Sequence, residues 1–275
     1  MSPDTHRSTI PTPAATAAPA AFYNALASSY DRMVGFEQRL QHAGRLVTAL
    51  VERFGPARAA GIDLGCGTGA FACALAAAGF PAAGLDLAED MLAQARANAT
   101  HLGLQVRFVS GCLQALPQPF APGSAGLILC LGNTLPHLLD PGDLGRAFSG
   151  IAALLAPGGL AVVQILNYDR ILAQQERIVS VDRDADLTFL RFYDFLADGL
   201  VRFNILRVAW AGNEAHPAPL RSVLLRPYRR QDLEAAAQGA GLDVVLCAGA
   251  GNLTPYEAAT SDTLLLALRP TLTRR

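Results

Sequence analysis

Apolar residues recur at helical spacing from Phe36 to Phe54, at Leu40, Ala43, Leu46, Val47, Leu50 and Val51, until Gly55-Pro56 stops them. The spacing predicts an amphipathic helix. Beyond it, short apolar runs alternate with helical ones: a strand up to Asp63, an alanine-rich helix to Ala78, a strand over Pro81–Leu87 and a helix over Glu89–His101. Strands over Leu104–Ser110, Gly126–Leu131 and Leu160–Leu166 follow, with a helix over Leu144–Leu155 before the last. Strands that are apolar throughout and alternate with helices predict an α/β fold, an open parallel sheet covered on both faces.

After Tyr168 the pattern changes. Arg177–Asp182, Leu187–Leu196, Leu200–Trp210 and Leu220–Arg226 are strand-like, and Ala197-Asp198-Gly199 supplies hairpin turn chemistry. They predict an antiparallel β flap, residues 170–228, inserted after the fifth strand. A helix over Arg230–Ala240 and strands over Leu242–Ala248 and Thr263–Leu268 close the pattern. Residues 1–20, a Pro/Thr/Ala mixture, are expected to be a disordered tail, leaving 21–275 as one domain.

The chemistry concentrates where the first strand meets a glycine turn, Gly61-Ile62-Asp63-Leu64-Gly65-Cys66-Gly67-Thr68-Gly69. Glycines at 65, 67 and 69 allow a tight turn and close approach of a ligand to free N–H groups at a helix start. A carboxylate at Asp63 suits a cofactor bearing an ammonium group better than one bearing a pyrophosphate. The spacing G-x-G-x-G also differs from the G-x-G-x-x-G of dinucleotide binders. Asp86, at the end of the second strand, stands where a carboxylate can accept hydrogen bonds from ribose hydroxyls.

Composition narrows the partner. The formal net charge is −1 and all 22 basic residues are arginine, so there is no basic footprint for nucleic acid or an anionic membrane, and no lysine for a Schiff base. Five cysteines without a C-x-x-C pair fit a reducing cytoplasm and no metal site. No apolar stretch reaches the roughly 20 residues of a membrane span, and a small-molecule partner is expected.

Ile62 to Gly69 together with Asp86 resembles the first two motifs of class I S-adenosylmethionine (SAM)-dependent methyltransferases. Cys130-Leu131-Gly132-Asn133-Thr134-Leu135-Pro136-His137-Leu138 and Asn167-Tyr168-Asp169 are similar to segments of the glycine and sarcosine N-methyltransferase branch. The resemblance implies a Rossmann-like, seven-stranded, mostly parallel sheet in the order 3-2-1-4-5-7-6, with SAM as methyl donor and S-adenosylhomocysteine as product. It implies methyl transfer to a small molecule, with nitrogen favoured as acceptor atom over oxygen or sulfur. By the same resemblance, Arg39 meets the SAM carboxylate and the Leu131 backbone meets the methionine portion. The cofactor set is then Tyr30, Arg39, Asp63, Gly65, Cys66, Gly67, Asp86, Leu87, Cys112, Leu113 and Leu131, and the catalytic candidates are Asn133, His137 and Tyr168.

His137 can take a proton near neutral pH, from a reference pKa of about 6.5, or serve as a structural histidine. Tyr23 and Tyr30 can form an aromatic lid or anchor the N-terminal segment. In the flap Arg191, Phe192, Tyr193 and Arg202 are candidates for selecting the acceptor, and alternation puts Arg191 and Tyr193 on one face with Phe192 on the other. Two departures from the branch stand out. Gly111-Cys112-Leu113 lacks the usual acid after the third strand, and Leu166 replaces an arginine that holds the carboxylate of glycine. A nicotinamide oxidoreductase and a non-catalytic SAM-binding protein remain alternatives.

Overall fold

The structure, a computed structural model, describes residues 18–271. The tail expected over 1–20 therefore falls almost wholly outside the described residues, and Pro19 already opens a helix. Three helices lead: α1 (Pro19–Asn24), α2 (Ala27–Val34) and α3 (Phe36–Phe54). The α/β portion runs β1 (Ala60–Leu64), α4 (Ala70–Ala77), β2 (Ala82–Asp86), α5 (Glu89–His101), β3 (Val106–Ser110), β4 (Ala125–Cys130), α6 (Pro141–Leu154) and β5 (Leu155–Leu166). After α7 (Tyr168–Gln174) come the flap strands β6 (Ile178–Asp184), β7 (Leu187–Phe195), β8 (Val201–Ala211), β9 (Glu214–Pro217) and β10 (Arg221–Leu225). Helix α8 (Arg230–Gly239), β11 (Leu242–Ala248) and β12 (Thr263–Pro270) end the chain's regular structure.

The main sheet has seven strands in the order β3-β2-β1-β4-β5-β12-β11, and β12 runs antiparallel to both neighbours. This is the α/β, Rossmann-like order 3-2-1-4-5-7-6 that the family resemblance implies. Alternation along its strands divides the core in two. Ile128, Val163 and Leu266 face a layer that includes Phe148 and Ile151 of α6, while Leu129, Val162 and Leu265 face Leu46 and Leu50 of α3 and Phe71 of α4. Each such fully buried side chain stabilises by about 1.5–3 kcal/mol, so both faces hold the sheet's carboxyl edge in place.

The second sheet is antiparallel, ordered β10-β8-β7-β6, with β9 paired to β8. Leu196 and Leu200 close the β7–β8 hairpin around Gly199, whose φ of +80° suits glycine. Five features depart from the sequence reading. β9 is an additional strand, while α1, α2 and α7 are short helices in segments for which no element was predicted. β5 also starts at Leu155 instead of after Pro157-Gly158-Gly159, because Leu155 pairs with Ala125 and the Gly158 carbonyl accepts from Ala57.

Candidate active site

Strand β1 delivers the chain into a bend in which Gly65, Gly67 and Gly69 have φ of +72°, +52° and +90°. At Gly65 the need for glycine is also steric, since a Cβ would stand 2.4 Å from Thr134 Cγ2. The N–H groups of Gly65 and Cys66 both donate to the Leu85 carbonyl, at 2.7 and 3.0 Å, which ties the bend to β2. Asp86 completes the tie: its carboxylate accepts from Gly67 N at 2.8 Å and from Ala88 N at 2.9 Å. Burial pushes its pKa above the ordinary value, and the backbone donors at Ala88 and Gly67 oppose that shift. Each carboxylate oxygen has a second lone pair, so Asp86 retains acceptor capacity for a ligand hydroxyl.

Asp63 lies beneath the bend, 2% exposed, with Oδ2 unpartnered. Burial pushes its pKa up to about 7, against the Arg39 charge, which lowers it. A buried carboxylate without a full set of donors is costly unless a cation compensates it. It does not reach the cavity surface, so its influence on a ligand above the bend is through the field.

A cavity of about 270 Å³ opens over this bend. Of the expected cofactor residues, Tyr30, Arg39, Gly65, Cys66, Gly67, Asp86, Leu87, Leu113 and Leu131 wall it, and Asp63 and Cys112 do not. Gln114, which sequence reasoning passed over, takes a place on the wall beside Leu113. Its amide Nε2 donates to Asp143 at 3.4 Å, which turns Oε1 into the available acceptor. Thr134 also lines it, bonded to the Leu131 carbonyl at 2.9 Å.

A second cavity, about 380 Å³, adjoins the first and shares Tyr23, Tyr30, Arg39, Gly132 and His137 with it. Its roof is the flap. Arg191 and Tyr193 project into it from the same face of β7, with Phe203 and Ile205 of β8, whereas Phe192 and Arg202 are absent from its wall. The Tyr23 hydroxyl lies 3.0 Å from His137 Nε2, and the two rings meet edge to face. Burial lowers the pKa of His137 to about 4, so the ring is neutral at pH 7, and its Nδ1 has no partner.

The three catalytic candidates are placed differently. His137 walls both cavities, Asn133 reaches the second, and Tyr168 reaches neither. Tyr168 is 1% exposed because its ring belongs to the core, and its hydroxyl accepts from Asn133 Nδ2 at 2.9 Å. Asn133 Oδ1 in turn accepts from Leu166 N at 3.0 Å, so Asn133 ties the loop after β4 to the end of β5. Asn167 caps α7 through Arg170 N and donates to the carbonyls of Ala258 and Ser261, while Tyr256 donates to Asn167 and Asp169. The Asn167-Tyr168-Asp169 segment thus fastens the loop before β12 beneath the site.

Helices α1 and α2 cover both cavities. Asn24 Oδ1 accepts from Asp90 N, and Asn98 donates to Asp31, holding them to α5. On the other side Arg32 pairs with Asp184 and, at 2.7 Å, with Asp186 of the flap. Among the described residues no group of three His, Cys, Asp or Glu side chains could hold a metal ion, and no helix is long and apolar enough to cross a membrane.

Comparison with known proteins bears on the domain and the fold. The methyltransferase domain family matches residues 62–159. The chain is 29% identical over 143 residues to a glycine/sarcosine N-methyltransferase of Parasynechococcus marenigrum, covering 52% of this chain and 50% of that protein. It is 35% identical over 106 residues to a ubiquinone biosynthesis O-methyltransferase of Methylococcus capsulatus, covering 38% and 43%. The chain therefore spans about half the length of the curated relatives it matches. In structure it is similar to an S-adenosylmethionine-dependent methyltransferase from Clostridium acetobutylicum, with TM-score 0.76 and 18% identity, covering 90% of this chain and 99% of that one. The sugar N-methyltransferase KedS8 from Streptoalloteichus shares the fold at TM-score 0.63 and 18% identity, covering 99% of both. Residues 62–159 match the methyltransferase domain family, and the chain shares the fold of S-adenosylmethionine-dependent methyltransferases of known structure.

Proposed function

We propose that the protein transfers a methyl group from SAM to a small molecule seated beneath the flap. The observation that carries this reading is the pair of adjoining cavities with a common wall of Tyr23, Tyr30, Arg39, Gly132 and His137. The first fits the cofactor on its own chemistry: a glycine bend that admits close approach, an unpartnered Asp63 oxygen below it and Asp86 at its edge. Arg39 and the Leu131 backbone would hold the amino-acid end, Asp86 the sugar, and Leu87, Leu113 and Gln114 the base. When bound, SAM supplies a methyl group on a positively charged sulfur, ready for in-line displacement.

The chain's own contribution is positioning and exclusion of water. Tyr23 and Tyr30 close the seam where the two cavities meet, and the flap residues Tyr193 and Phe203 close the far side. His137, with a pKa of about 4, is a weak base whose Nε2 is engaged by Tyr23. It orients an acceptor better than it deprotonates an ammonium, so the acceptor must arrive with its lone pair free. Nitrogen is the first expectation for the acceptor atom, from the resemblance to the glycine and sarcosine branch, and oxygen the second. Leu166, in the place of that branch's arginine, argues against glycine itself.

Calorimetry with SAM and S-adenosylhomocysteine tests the cofactor assignment. Binding of both is expected; binding of NAD with neither nucleoside would replace the reading with an oxidoreductase. Labelled methyl transfer into a metabolite pool then separates an enzyme from a binding protein, for which no fraction would take the label.

A further inference from the structure

We propose that the acceptor is an apolar, ring-sized molecule carrying a negative charge, seated in the flap-roofed cavity with its anionic group toward Arg191. The inference rests on the methyltransferase reading and adds the chemical class of the second ligand.

Two features of the cavity fix size and polarity. Its volume of about 380 Å³ suits a single ring with a short substituent. Phe71, Tyr193 and Phe203 with Ile165, Val179 and Ile205 give it an apolar portion, and Asn133, Gln164 and Thr263 add polar groups. Such a wall stabilises a body that is apolar in part and polar at its edge.

Charge selects further. Among the described residues that line this cavity there is no aspartate and no glutamate, whereas two arginines line it. Arg39 rests on the Phe71 ring, 5.3 Å from its centroid, and no described carboxylate pairs with it. Arg191 is held in place by Asp182, at 2.9 Å from Nη2, and by Ser180, at 2.7 Å from Nε. Its Nη1 has no described partner, and Arg191 lines the cavity while Asp182 and Ser180 do not, so a donor of a wall residue remains available to a ligand. The effect is visible on a neighbour: burial lowers the pKa of His42, and the Arg45 and Arg39 charges lower it further.

An ammonium-bearing acceptor would enter this cavity beside Arg191 with no aspartate or glutamate on its wall to receive it, Arg39 being engaged by the cofactor's carboxylate in the proposed reading. A carboxylate or an ionised acidic hydroxyl would find the Nη1 donor of Arg191 still without a described partner, in a partly apolar site where charge-assisted hydrogen bonds are strong. Arg191 is therefore a selecting residue, fixed by the β6–β7 pairing that places Ser180 and Asp182 beside it.

The test uses three probes with one carbon skeleton, 3-phenylpropanoate, 3-phenylpropanol and 3-phenylpropylamine, titrated calorimetrically into the full chain saturated with S-adenosylhomocysteine. The propanoate is expected to bind at least tenfold more tightly than the amine, with the alcohol between them. Arg191→Gln should weaken the propanoate about tenfold and leave the alcohol unchanged, while Arg191→Lys should recover part of the loss. Unaltered binding of S-adenosylhomocysteine shows that each variant is folded. Equal binding of the three probes, a preference for the amine, or no binding by any of them overturns the inference. Failure of S-adenosylhomocysteine to bind the unaltered protein is seen before any probe is added, and overturns the methyltransferase reading instead.

Discussion

The Tyr23 hydroxyl and His137 Nε2 stand 3.0 Å apart on the wall that both cavities share. Tyr23 belongs to α1 and His137 to the loop after β4, so this one contact joins the N-terminal segment to the carboxyl edge of the sheet. Tyr23→Phe leaves a buried ring nitrogen without its partner, at a cost of about 1–3 kcal/mol. Denaturant unfolding is expected to show that loss. Turnover should fall more steeply than the affinity for S-adenosylhomocysteine, and an unchanged rate would remove the pair from catalysis.

His137 also sets an acid limit on stability. Burial lowers its pKa from 6.5 to about 4, so between those values the unfolded chain binds a proton that the folded chain refuses. The contribution of the neutral ring is complete above pH 6.5 and is lost as pH falls through about 4, a change of about 3 kcal/mol over the interval. Unfolding measured at pH 7 and at pH 4.5 should show a smaller acid loss in His137→Asn than in the parent; parallel curves would contradict the neutral-histidine assignment.

Asp63 behaves in the opposite sense. Burial raises its pKa from 3.8 to about 7, so the folded chain retains a proton that the unfolded chain releases, and this contribution declines as pH rises through about 7. An ammonium group bound above the bend favours the ionised form. The affinity for S-adenosylhomocysteine should therefore rise severalfold from pH 6 to pH 8, with release of a proton detectable by calorimetry in buffers of different ionisation enthalpy. Asp63→Asn should flatten that dependence and, without ligand, be more stable than the parent above pH 7.

Asp86 holds the bend and, in the proposed reading, the ligand as well. Asp86→Asn retains one acceptor oxygen where two are used, so either Gly67 N–H or Ala88 N–H loses its partner. A charge-assisted hydrogen bond contributes about 1.5–3 kcal/mol, and a loss of S-adenosylhomocysteine affinity of at least tenfold is expected. Full affinity in this variant would take Asp86 out of the cofactor site.

Legibility in the sequence followed the length and regularity of each element. Helix α5 and strand β11 fall where the pattern puts them, at Glu89–His101 and Leu242–Ala248, because a full apolar face or a run between glycine breaks marks them. The bend is legible for a different reason: glycines at 65, 67 and 69 are demanded locally by backbone φ. Helices α1 and α2, with 6 and 8 residues and no side-chain N-caps, are held by the flap and α5, and their local signals, Pro19 at the head of α1 and Gly35 after α2, are too sparse to mark an element alone. Gln114 was not legible because the usual acid is absent at Cys112, and only the turn Leu113–Ala115 brings the next polar side chain to the wall. Tyr168 drew attention by its position at a strand end, but the helix that starts there turns its ring inward.

Helices α1 and α2 overlie both cavities, and Arg32 ties α2 to the flap. If donor and acceptor occupy the two cavities as proposed, both would pass the same cover, and opening it, instead of the chemistry at sulfur, would then be expected to set the pace of turnover.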